Sequence, residues 1–494
     1  MKFFLFVRWP KIFSSVLFLL VIGLFLVQDA SAHSDDEKRD LDANGLPVSA
    51  APVDRQIAEA IGHISSSEIE HTIATLVAFR NRSTISSMEK DLPADTGVTA
   101  AADWIESELK RYSAECGGCL EVKRDTFTEP AGEGPRSRIK QPTTITNIYA
   151  VLKGTDPAQA GRMILVTGHY DSRNTDIMDA HGEAPGANDD ASGVAVSLEC
   201  AHALSKLKLP ATLVFAAVAG EEQGLNGSAH LAKLAKAEGW QLEAVLNNDI
   251  VGGNTTPDDK LQNKSVVRVF SENVPSDATP EQVKTLLRLG YESDSPSREE
   301  ARAIVGVART YGGVIGGKGR GFTPVLEFRL DRFLRGGDHS SFNQQGFAGV
   351  RFTEWREDFN HQHQNVRTEN GVEYGDLLKF VDLNYVARVA KLNAAAMATF
   401  AAAPPAPVEV KIKTSGLDND SSLEWADGAG APAGTHYELL WRELAAGDWQ
   451  RVQAVDAGQR SITVPVSKDN AIFGVRAVDA AGHRSPAVVP VPER

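Results

Sequence analysis

The stretch that decides the fold runs from residue 163 to residue 207 and opens with MILVTGHYDS at 163–172. Its apolar part, Met163–Thr167, predicts a short β-strand. The second part, at 186–207, reads GANDDASGVAVSLECAHALSKL. From Ala191 to Leu207 the apolar residues recur at intervals of three or four positions, which predicts an amphipathic helix.

Further apolar runs with strand character occur at Thr212–Val218 and Ala244–Leu246, and helical stretches separate them. Strands that alternate with helices are typical of α/β proteins. We therefore predict an α/β fold with a mostly parallel central sheet that is sandwiched by helices. In such sheets, functional groups collect in loops at the carboxyl ends of the strands.

The composition is that of a folded, acidic protein. The chain has 494 residues, with 51 Lys and Arg against 65 Asp and Glu, so its formal charge is −14. At ~100–200 residues per domain, this length predicts two to four folding units. The apolar share of 42% and the charged share of 23% exclude a disordered or fibrous chain. The acidic excess argues against nucleic acid as a partner, because such binding needs a basic surface.

The N-terminus has the order of a secretory signal peptide. Lys2, Arg8 and Lys11 precede an uncharged apolar run, Ile12–Val27, and the small residues Ala30-Ser31-Ala32 follow. We predict cleavage after residue 32, which leaves no stable membrane anchor and exports the protein to the periplasm or the medium. The alternative is an uncleaved anchor, although the run falls just short of the ~17–25 residues of a membrane span.

The rest of the chain divides into three predicted segments. Residues 33–55 are polar and charged and are predicted to be a linker or a pro-segment. Residues 56–403 carry the α/β pattern. Residues 404–494 begin with Pro404-Pro405-Ala406-Pro407 and then show strand signals at Val408–Ile412, Tyr437–Trp441, Ser461–Val464 and Phe473–Val478. This third segment is predicted to be a small all-β sandwich.

Part of the third segment resembles a known module. Phe473–Asp479, with Gly482 and Ser485, is similar to the last strands of a fibronectin type III module. Such a module would serve as a spacer, or would dock a partner that the sequence does not identify.

The chain has three cysteines. In an exported protein, Cys116 and Cys119 are predicted to form a small structural disulfide. Cys200 falls on the apolar side of the predicted helix and is expected to be a buried thiol.

The stretch from Gly312 to Lys318 mimics a phosphate-binding loop but lacks the Ser or Thr that would bind Mg²⁺, so it is interpreted as a flexible loop.

Four polar motifs stand at strand ends or at a helix start: His169-Tyr170-Asp171-Ser172, Gly186–Gly193, Glu221-Glu222 and Asn247-Asn248-Asp249. Adjacent carboxylates at the end of an apolar strand repel each other unless a cation balances them. Histidine with carboxylates, without a cysteine cluster, is the ligand set of hydrolytic zinc sites. Together the motifs predict a metal centre.

In this order, the motifs His-x-Asp-Ser, Gly-Ala-x-Asp-Asp-x-Ser-Gly, Gly-Glu-Glu-x-Gly and Asn-x-Asp resemble those of the secreted dizinc aminopeptidases. That family includes bacterial leucyl aminopeptidases, glutamate carboxypeptidase II and the transferrin receptor ectodomain. The resemblance covers roughly residues 60–400, so residues 56–403 are predicted to be a zinc peptidase domain.

The resemblance implies two zinc ions per chain. His169 and Asp249 would bind the first ion, Glu222 would bind the second, and Asp189 would bridge the two. Glu221 would be the general base that takes the proton of the attacking water.

Two further roles follow from the resemblance. Asp171 would hold the His169 ring through its other nitrogen. The family's last ligand is a histidine downstream of an Asp-His-Ser motif, which Asp338-His339-Ser340 matches. The candidates for that ligand are His361 and His363, and the spacing after Asn360 favours His363.

This chain departs from the family at two points. The Thr or Ser and the Asp that usually stand just beyond the last histidine are absent, and the segment 332–337 before the Asp-His motif lacks the Tyr that family members often have there. Arg335 is a candidate to stabilise the tetrahedral intermediate, or else it is an ordinary surface residue.

The predicted activity is that of a secreted, zinc-dependent exopeptidase, an aminopeptidase whose substrates are peptides with a free N-terminus. The alternatives are a carboxypeptidase or dipeptidase, a glutaminyl cyclase with a single zinc, and a non-catalytic binding ectodomain. The sequence does not indicate which side chain is preferred at the cleaved residue.

Overall fold

The structure is a computed structural model that describes residues 39–317 and 321–493. The predicted signal peptide, residues 33–38 of the predicted linker and part of the Gly-rich loop lie outside these ranges. Within them, no helix combines the length and the apolar character needed to cross a bilayer.

The chain from Asp40 onward forms one compact unit. Its first elements are short: helix α1 (Asp40–Ala43) and strand β1 (Leu46–Pro47). Eight longer strands then form the central sheet: β2 (Leu120–Glu129), β3 (Thr143–Leu152), β4 (Arg162–His169), β5 (Thr212–Val218), β6 (Gln241–Asn248), β7 (Val266–Ser271), β8 (Thr323–Glu327) and β9 (Val350–Thr353).

The order in this sheet is β2-β3-β5-β4-β6-β9-β7-β8. Strands β5, β4, β6 and β9 run parallel in the middle. At one edge β3 is antiparallel to β5, and at the other β7 is antiparallel to β9. The central sheet is therefore parallel where the four motifs lie and antiparallel toward both edges.

Helices cover both faces of the sheet. They are α2 (Arg55–Gly62), α3 (Ser66–Ala78), α4 (Gly97–Glu115), α5 (Ala191–Leu204), α6 (Glu221–Gly224), α7 (Asn226–Ala237), α8 (Pro280–Leu289), α9 (Pro296–Ile315), α10 (His339–Asn343) and α11 (Leu383–Ala402). A small hairpin is formed by β10 (Arg367–Glu369) and β11 (Val372–Tyr374), and two 3-10 helices lie at Thr84–Met88 and Leu378–Phe380.

Alternate side chains of β4 pack into two separate hydrophobic cores, one on each face of the sheet. Ile164 and Val166 belong to the core beneath α5 and α11, whereas Leu165 packs with Leu231 of α7 on the opposite face. This alternation is what a strand buried on both faces requires. The predicted α/β fold with a sheet sandwiched by helices is confirmed.

Residues after 404 form a β-sandwich of two four-stranded sheets. Its strands are β12 (Val408–Lys413), β13 (Ser421–Ala426), β14 (His436–Glu443), β15 (Arg451–Val455), β16 (Ser461–Val464), β17 (Ala471–Val478) and β18 (Val491–Glu493). One sheet has the order β16-β13-β12-β18, and the other has the order β1-β15-β14-β17. The predicted all-β module is present, while its assignment to the fibronectin type III group stays a prediction.

The N-terminal segment completes this sandwich. Strand β1 pairs antiparallel with β15, and Leu41 is buried in the core of the sandwich. The indole Nε1 of Trp441 donates a hydrogen bond of 3.1 Å to the carbonyl oxygen of Leu41. From residue 40 onward, the segment predicted as a linker or pro-segment is thus part of the sandwich, because it supplies a strand and a core side chain.

Gly45 shows how closely this segment is packed. Its φ is +65°, and a Cβ built there would lie 2.2 Å from the Trp441 ring. We expect Gly45→Val to lower the free energy of unfolding by about 1–3 kcal/mol, because Trp441 must shift. Gly134→Val is the control, since φ is +81° but a Cβ meets nothing within 4 Å. Equal losses in urea unfolding for the two variants would contradict the packing argument.

A buried ion pair and a buried hydrogen bond join the sandwich to the α/β body, which we define as residues 55–403. Asp294 accepts from Arg302 of α9 at 3.0 Å and from Arg442 of β14 at 2.5 Å. Trp449 donates its indole N–H to Glu299 of α9 at 3.0 Å. Since the side chains of Asp294, Arg302 and Arg442 are all buried, the two parts are held in a fixed arrangement.

The cysteines are as predicted. Cys116 and Cys119 form a disulfide, and Cys200 is a buried free thiol.

Candidate metal centre

The four polar motifs meet at one edge of the central sheet. His169 is the last residue of β4, Glu221 and Glu222 open α6 just after β5, and Asp249 directly follows β6. Asp189 lies in the loop before α5. Because β4, β5 and β6 are parallel, their carboxyl ends bring these side chains together, as the sequence predicts.

The side chains form two adjacent groups, each of which could hold a metal ion. The first group is His169, Glu221 and Asp249, and the second is Asp189, Glu222 and His363; within each group the candidate ligand atoms lie within 4.8 Å of one another. Each group thus combines one imidazole with two carboxylates.

Asp189 connects the two groups. Its Oδ1 lies 3.2 Å from Nε2 of His169, and its Oδ2 lies 2.9 Å from Nε2 of His363. On the outer sides, His169 Nε2 is 3.8 Å from Asp249 Oδ1, and His363 Nε2 is 3.0 Å from Glu222 Oε1. One carboxylate therefore directs an oxygen toward each group.

The unsatisfied polar atoms of the site fit divalent cations. Nε2 of His169, Oε1 of Glu222 and Oδ1 of Asp249 are buried and have no hydrogen-bond partner among the described residues. Buried polar atoms without partners are rare in native proteins and commonly mark an ion. Nitrogen and carboxylate oxygen are also the donor types that zinc accepts.

The charges of the side chains at the site also favour a bound cation. Burial by itself would lower the pKa of His363, but the carboxylates of Glu222 and Asp189 raise it to about 10. Burial also raises the pKa of Glu221 well above its usual range, with a further contribution from the charge of Glu222. The site holds more negative charge than its two imidazoles balance, which a bound cation would relieve.

The tautomer of His169 is set by the chain itself. Its Nδ1 lies 3.1 Å from the carbonyl oxygen of Asp171, which can only accept, so Nδ1 carries the proton. Nε2, which faces Asp189 and Asp249, is thereby the ring nitrogen available to a metal ion. The Asp171 carboxylate is farther from Nδ1, at 3.4 Å.

The Asp171 carboxylate has another set of partners. It accepts hydrogen bonds from the backbone N–H groups of Glu221 and Glu222, at 3.3 and 3.2 Å, and from the hydroxyl of Thr84 at 2.9 Å. Asp171 therefore touches His169 mainly through its backbone, while its side chain positions the start of α6.

Several residues that support the site were not found from the sequence. Asp376 accepts from the backbone N–H of Asp189 at 2.7 Å, and Gln362 donates to Asp189 Oδ2 at 2.9 Å. Arg351 binds Asp249 Oδ2 at 2.9 Å. These residues come from loops and a strand after residue 350, and no sequence pattern indicates a role for their side chains.

Comparison with known proteins identifies the family. Residues 147–296 match peptidase family M28. The chain is 40% identical over 451 residues to a probable zinc metalloprotease of Pyrenophora tritici-repentis, which covers 91% of this chain and 89% of that protein. It is 44% identical over 457 residues to a probable zinc metalloprotease of Pyricularia oryzae, covering 91% and 87%. The chain belongs to peptidase family M28. It is a zinc metallopeptidase.

Solved structures resemble this M28 peptidase at lower identity. The LapA aminopeptidase of Legionella pneumophila is 20% identical, with a TM-score of 0.48 over 73% of this chain and 78% of that one. A glutaminyl cyclase of Macrostomum lignano is 16% identical, with a TM-score of 0.47 over 71% and 94%. Similarity at this level transfers no substrate to this chain.

Of the two candidate histidines, His363 is the one that lies at the candidate metal centre, beside Asp189 and Glu222. His361 instead stacks on Phe380, with ring centroids 3.7 Å apart. His339 of the Asp-His-Ser motif is buried and donates from Nε2 to the carbonyl oxygen of Leu330 at 2.8 Å. Neither His361 nor His339 belongs to the two ligand groups.

This placement predicts a difference between two neighbouring variants. His363→Ala should lose bound metal, because it removes the imidazole of the second group. His361→Ala should keep the metal content of the wild type and lose only stacking energy. Mass-spectrometric metal analysis of both proteins after dialysis checks this; normal metal content in His363→Ala would contradict the assignment.

The centre opens into a cleft of about 350 Å³. Besides the acidic groups, its walls carry Leu225, Leu334 and four arginines: Arg138, Arg173, Arg332 and Arg335. Arg335 is paired with Glu357 at 2.7 Å. The cleft therefore surrounds an acidic centre with a basic rim.

Proposed function

We propose that this M28 peptidase is a dizinc aminopeptidase that removes N-terminal residues from peptides. The observation that carries the proposal is Asp189, whose two carboxylate oxygens face His169 and His363 separately. A carboxylate in that position is suited to bridge two ions. Bound zinc would supply a Lewis acid that polarises the scissile carbonyl and lowers the pKa of a water molecule.

In this proposal Glu221 is the general base. Its carboxylate lies in the first ligand group and lines the cleft, so it can reach both water and substrate. It accepts a proton from the attacking water and passes that proton to the leaving amine. The hydrogen bond from its backbone N–H to Asp171 fixes where its side chain starts.

The acidic centre also supports the choice of the free N-terminus as the group recognised. Carboxylates of Asp189, Glu221 and Glu222 line the cleft beside the scissile position, and they attract an α-ammonium group. A cleft of about 350 Å³ lies at the lower end of the ~300–1,000 Å³ of ligand pockets, which suits the end of a peptide.

The basic rim supports a second candidate, a carboxypeptidase or dipeptidase. Arg138 donates to the carbonyl oxygen of Glu222 at 2.8 Å, and Arg173 donates to the carbonyl of Asn174 at 3.0 Å. Among the described residues neither guanidinium has a carboxylate partner. Since guanidinium groups bind carboxylates well, the two arginines are suited to a C-terminal carboxylate or to an acidic side chain.

Zinc content and a matched peptide panel separate these candidates. The panel consists of one short sequence with free ends, with an acetylated N-terminus and with an amidated C-terminus. For an aminopeptidase we expect two zinc ions per chain, cleavage of the free and amidated peptides, and no cleavage of the acetylated one. Cleavage of the acetylated peptide alone among the blocked forms would establish the carboxypeptidase instead.

The remaining alternatives have their own outcomes in the same experiment. One zinc per chain with cyclisation of an N-terminal glutamine would support a glutaminyl cyclase. A protein with neither metal nor turnover would be a binding ectodomain, with the sandwich as the part that meets a partner.

The proposal places the enzyme outside the cytoplasm, on the strength of the N-terminal 32 residues. Sequencing the N-terminus of protein recovered from the periplasm and from the medium tests this. A mature protein that begins at His33 is expected. A full-length chain in the membrane fraction would favour the uncleaved anchor.

A further inference from the structure

A second cluster of possible metal ligands lies away from the proposed catalytic centre. It consists of Glu68 in the first turn of α3, together with Glu199 and His202 of α5. One candidate ligand atom from each lies within 4.8 Å of the others. Glu199 and His202 are three positions apart, which puts both side chains on one face of the helix.

Glu199 is the residue that needs an explanation. It is only 1% exposed, and its Oε1 has no hydrogen-bond partner among the described residues. Its nearest basic group is Nδ1 of His202, at 3.6 Å, which is longer than a hydrogen bond. A buried carboxylate oxygen without a partner is costly unless a cation stands beside it.

The neighbours of His202 hold its ring so that Nδ1 faces Glu199. Its ring stacks on Tyr112 with centroids 4.6 Å apart and an angle of 7° between the planes. Its other nitrogen, Nε2, lies 3.4 Å from Oε2 of Glu115 at the end of α4. A carboxylate on the far nitrogen of an imidazole is the usual support of a metal-binding histidine.

The charges around the cluster leave it negative. Glu68, Glu115 and Glu199 surround the single imidazole of His202. Arg111, on the neighbouring turn of α4, forms its ion pairs with Glu108 and Glu115. In the part of the chain that the structure describes, no Lys or Arg side chain forms an ion pair with Glu199.

We propose that Glu68, Glu199 and His202 bind a divalent metal ion of the zinc type that ties α3 to α5. Imidazole nitrogen with carboxylate oxygen suits such an ion, and three protein ligands leave room for water. The site shares no ligand with the proposed catalytic centre. At 1.5 Å per helical residue, His202 lies roughly 15 Å along α5 from the end that faces Asp189, so the role is structural.

The test uses the full-length mature protein and four variants. Glu199→Gln and His202→Gln each remove one ligand at nearly constant size. Glu68→Gln does the same from the partly exposed side of the site, where a folding defect is least expected. Glu70→Gln, on the exposed face of the same helix α3, is the matched control.

Zinc is measured by mass spectrometry after the proteins are loaded with zinc and dialysed against metal-free buffer. We expect the wild type and Glu70→Gln to retain one more equivalent than each of the three ligand variants, with peptide turnover unchanged. Added zinc should raise the thermal midpoint of the wild type more than that of Glu68→Gln. Equal zinc content in all five proteins would overturn the proposal, and because only the difference is read, that result leaves the catalytic proposal untouched.

Discussion

Glu221→Gln is expected to lower the turnover number by a factor of about 10²–10⁴, the usual contribution of a general base. The amide cannot take the proton of the attacking water. The metal content should stay that of the wild type, because His169, Asp189 and Asp249 remain in place around the first position. Steady-state kinetics and metal analysis on the same preparation give both values.

Glu222→Gln is the variant to compare with Glu221→Gln. In the wild type, Oε1 of Glu222 is buried, has no hydrogen-bond partner among the described residues, and lies 3.0 Å from Nε2 of His363. We expect this neighbouring change to reduce metal content as well as turnover. If Glu221→Gln also loses metal, Glu221 is a ligand and not the base, and the mechanism must be reassigned.

Asp294→Asn is expected to cost about 3–5 kcal/mol of the free energy of unfolding, because it removes the carboxylate partner of the buried Arg442 and one of the two carboxylate partners of Arg302. Both guanidinium groups are almost fully buried where the sandwich meets α9. Urea unfolding followed by tryptophan fluorescence reports this directly, since Trp449 lies in the same interface.

An exposed ion pair serves as the control for that measurement. Arg80 and Glu183 are in contact at 2.5 Å, but their side chains are 57% and 47% exposed. Glu183→Ala should therefore cost less than about 1 kcal/mol. A similarly small effect for Asp294→Asn would mean that the interface does not depend on its buried charges.

The sequence predicts which side chains lie together at the candidate metal centre where each of them sits at a strand end. His169, Glu222 and Asp249 follow apolar runs that are easily recognised, and parallel pairing of those strands brings them together. The sequence carries no signal for Asp376 and Gln362, because each acts through a hydrogen bond to Asp189 from a loop 187 or 173 residues away. Local patterns carry no information on such contacts.

The same limit applies to the sandwich. Strands such as β17 were found because apolar residues dominate them, whereas β13 was missed, since only Leu423 and Trp425 mark it among serines. Strand β1 has two residues and no periodicity, so its pairing with β15 depends entirely on tertiary contacts.

The pairing of β1 has a consequence for how the chain is made. Leu41 and Trp441, which meet in the sandwich core, are 400 positions apart. In a growing or translocating chain, β1 therefore stays unpaired until β15 has emerged. Contacts of such long range form slowly. A product that ends before β14 would lack both the strand that pairs with β1 and the Trp441 ring that covers Leu41. A chain of this kind would therefore expose apolar surface that the complete sandwich buries.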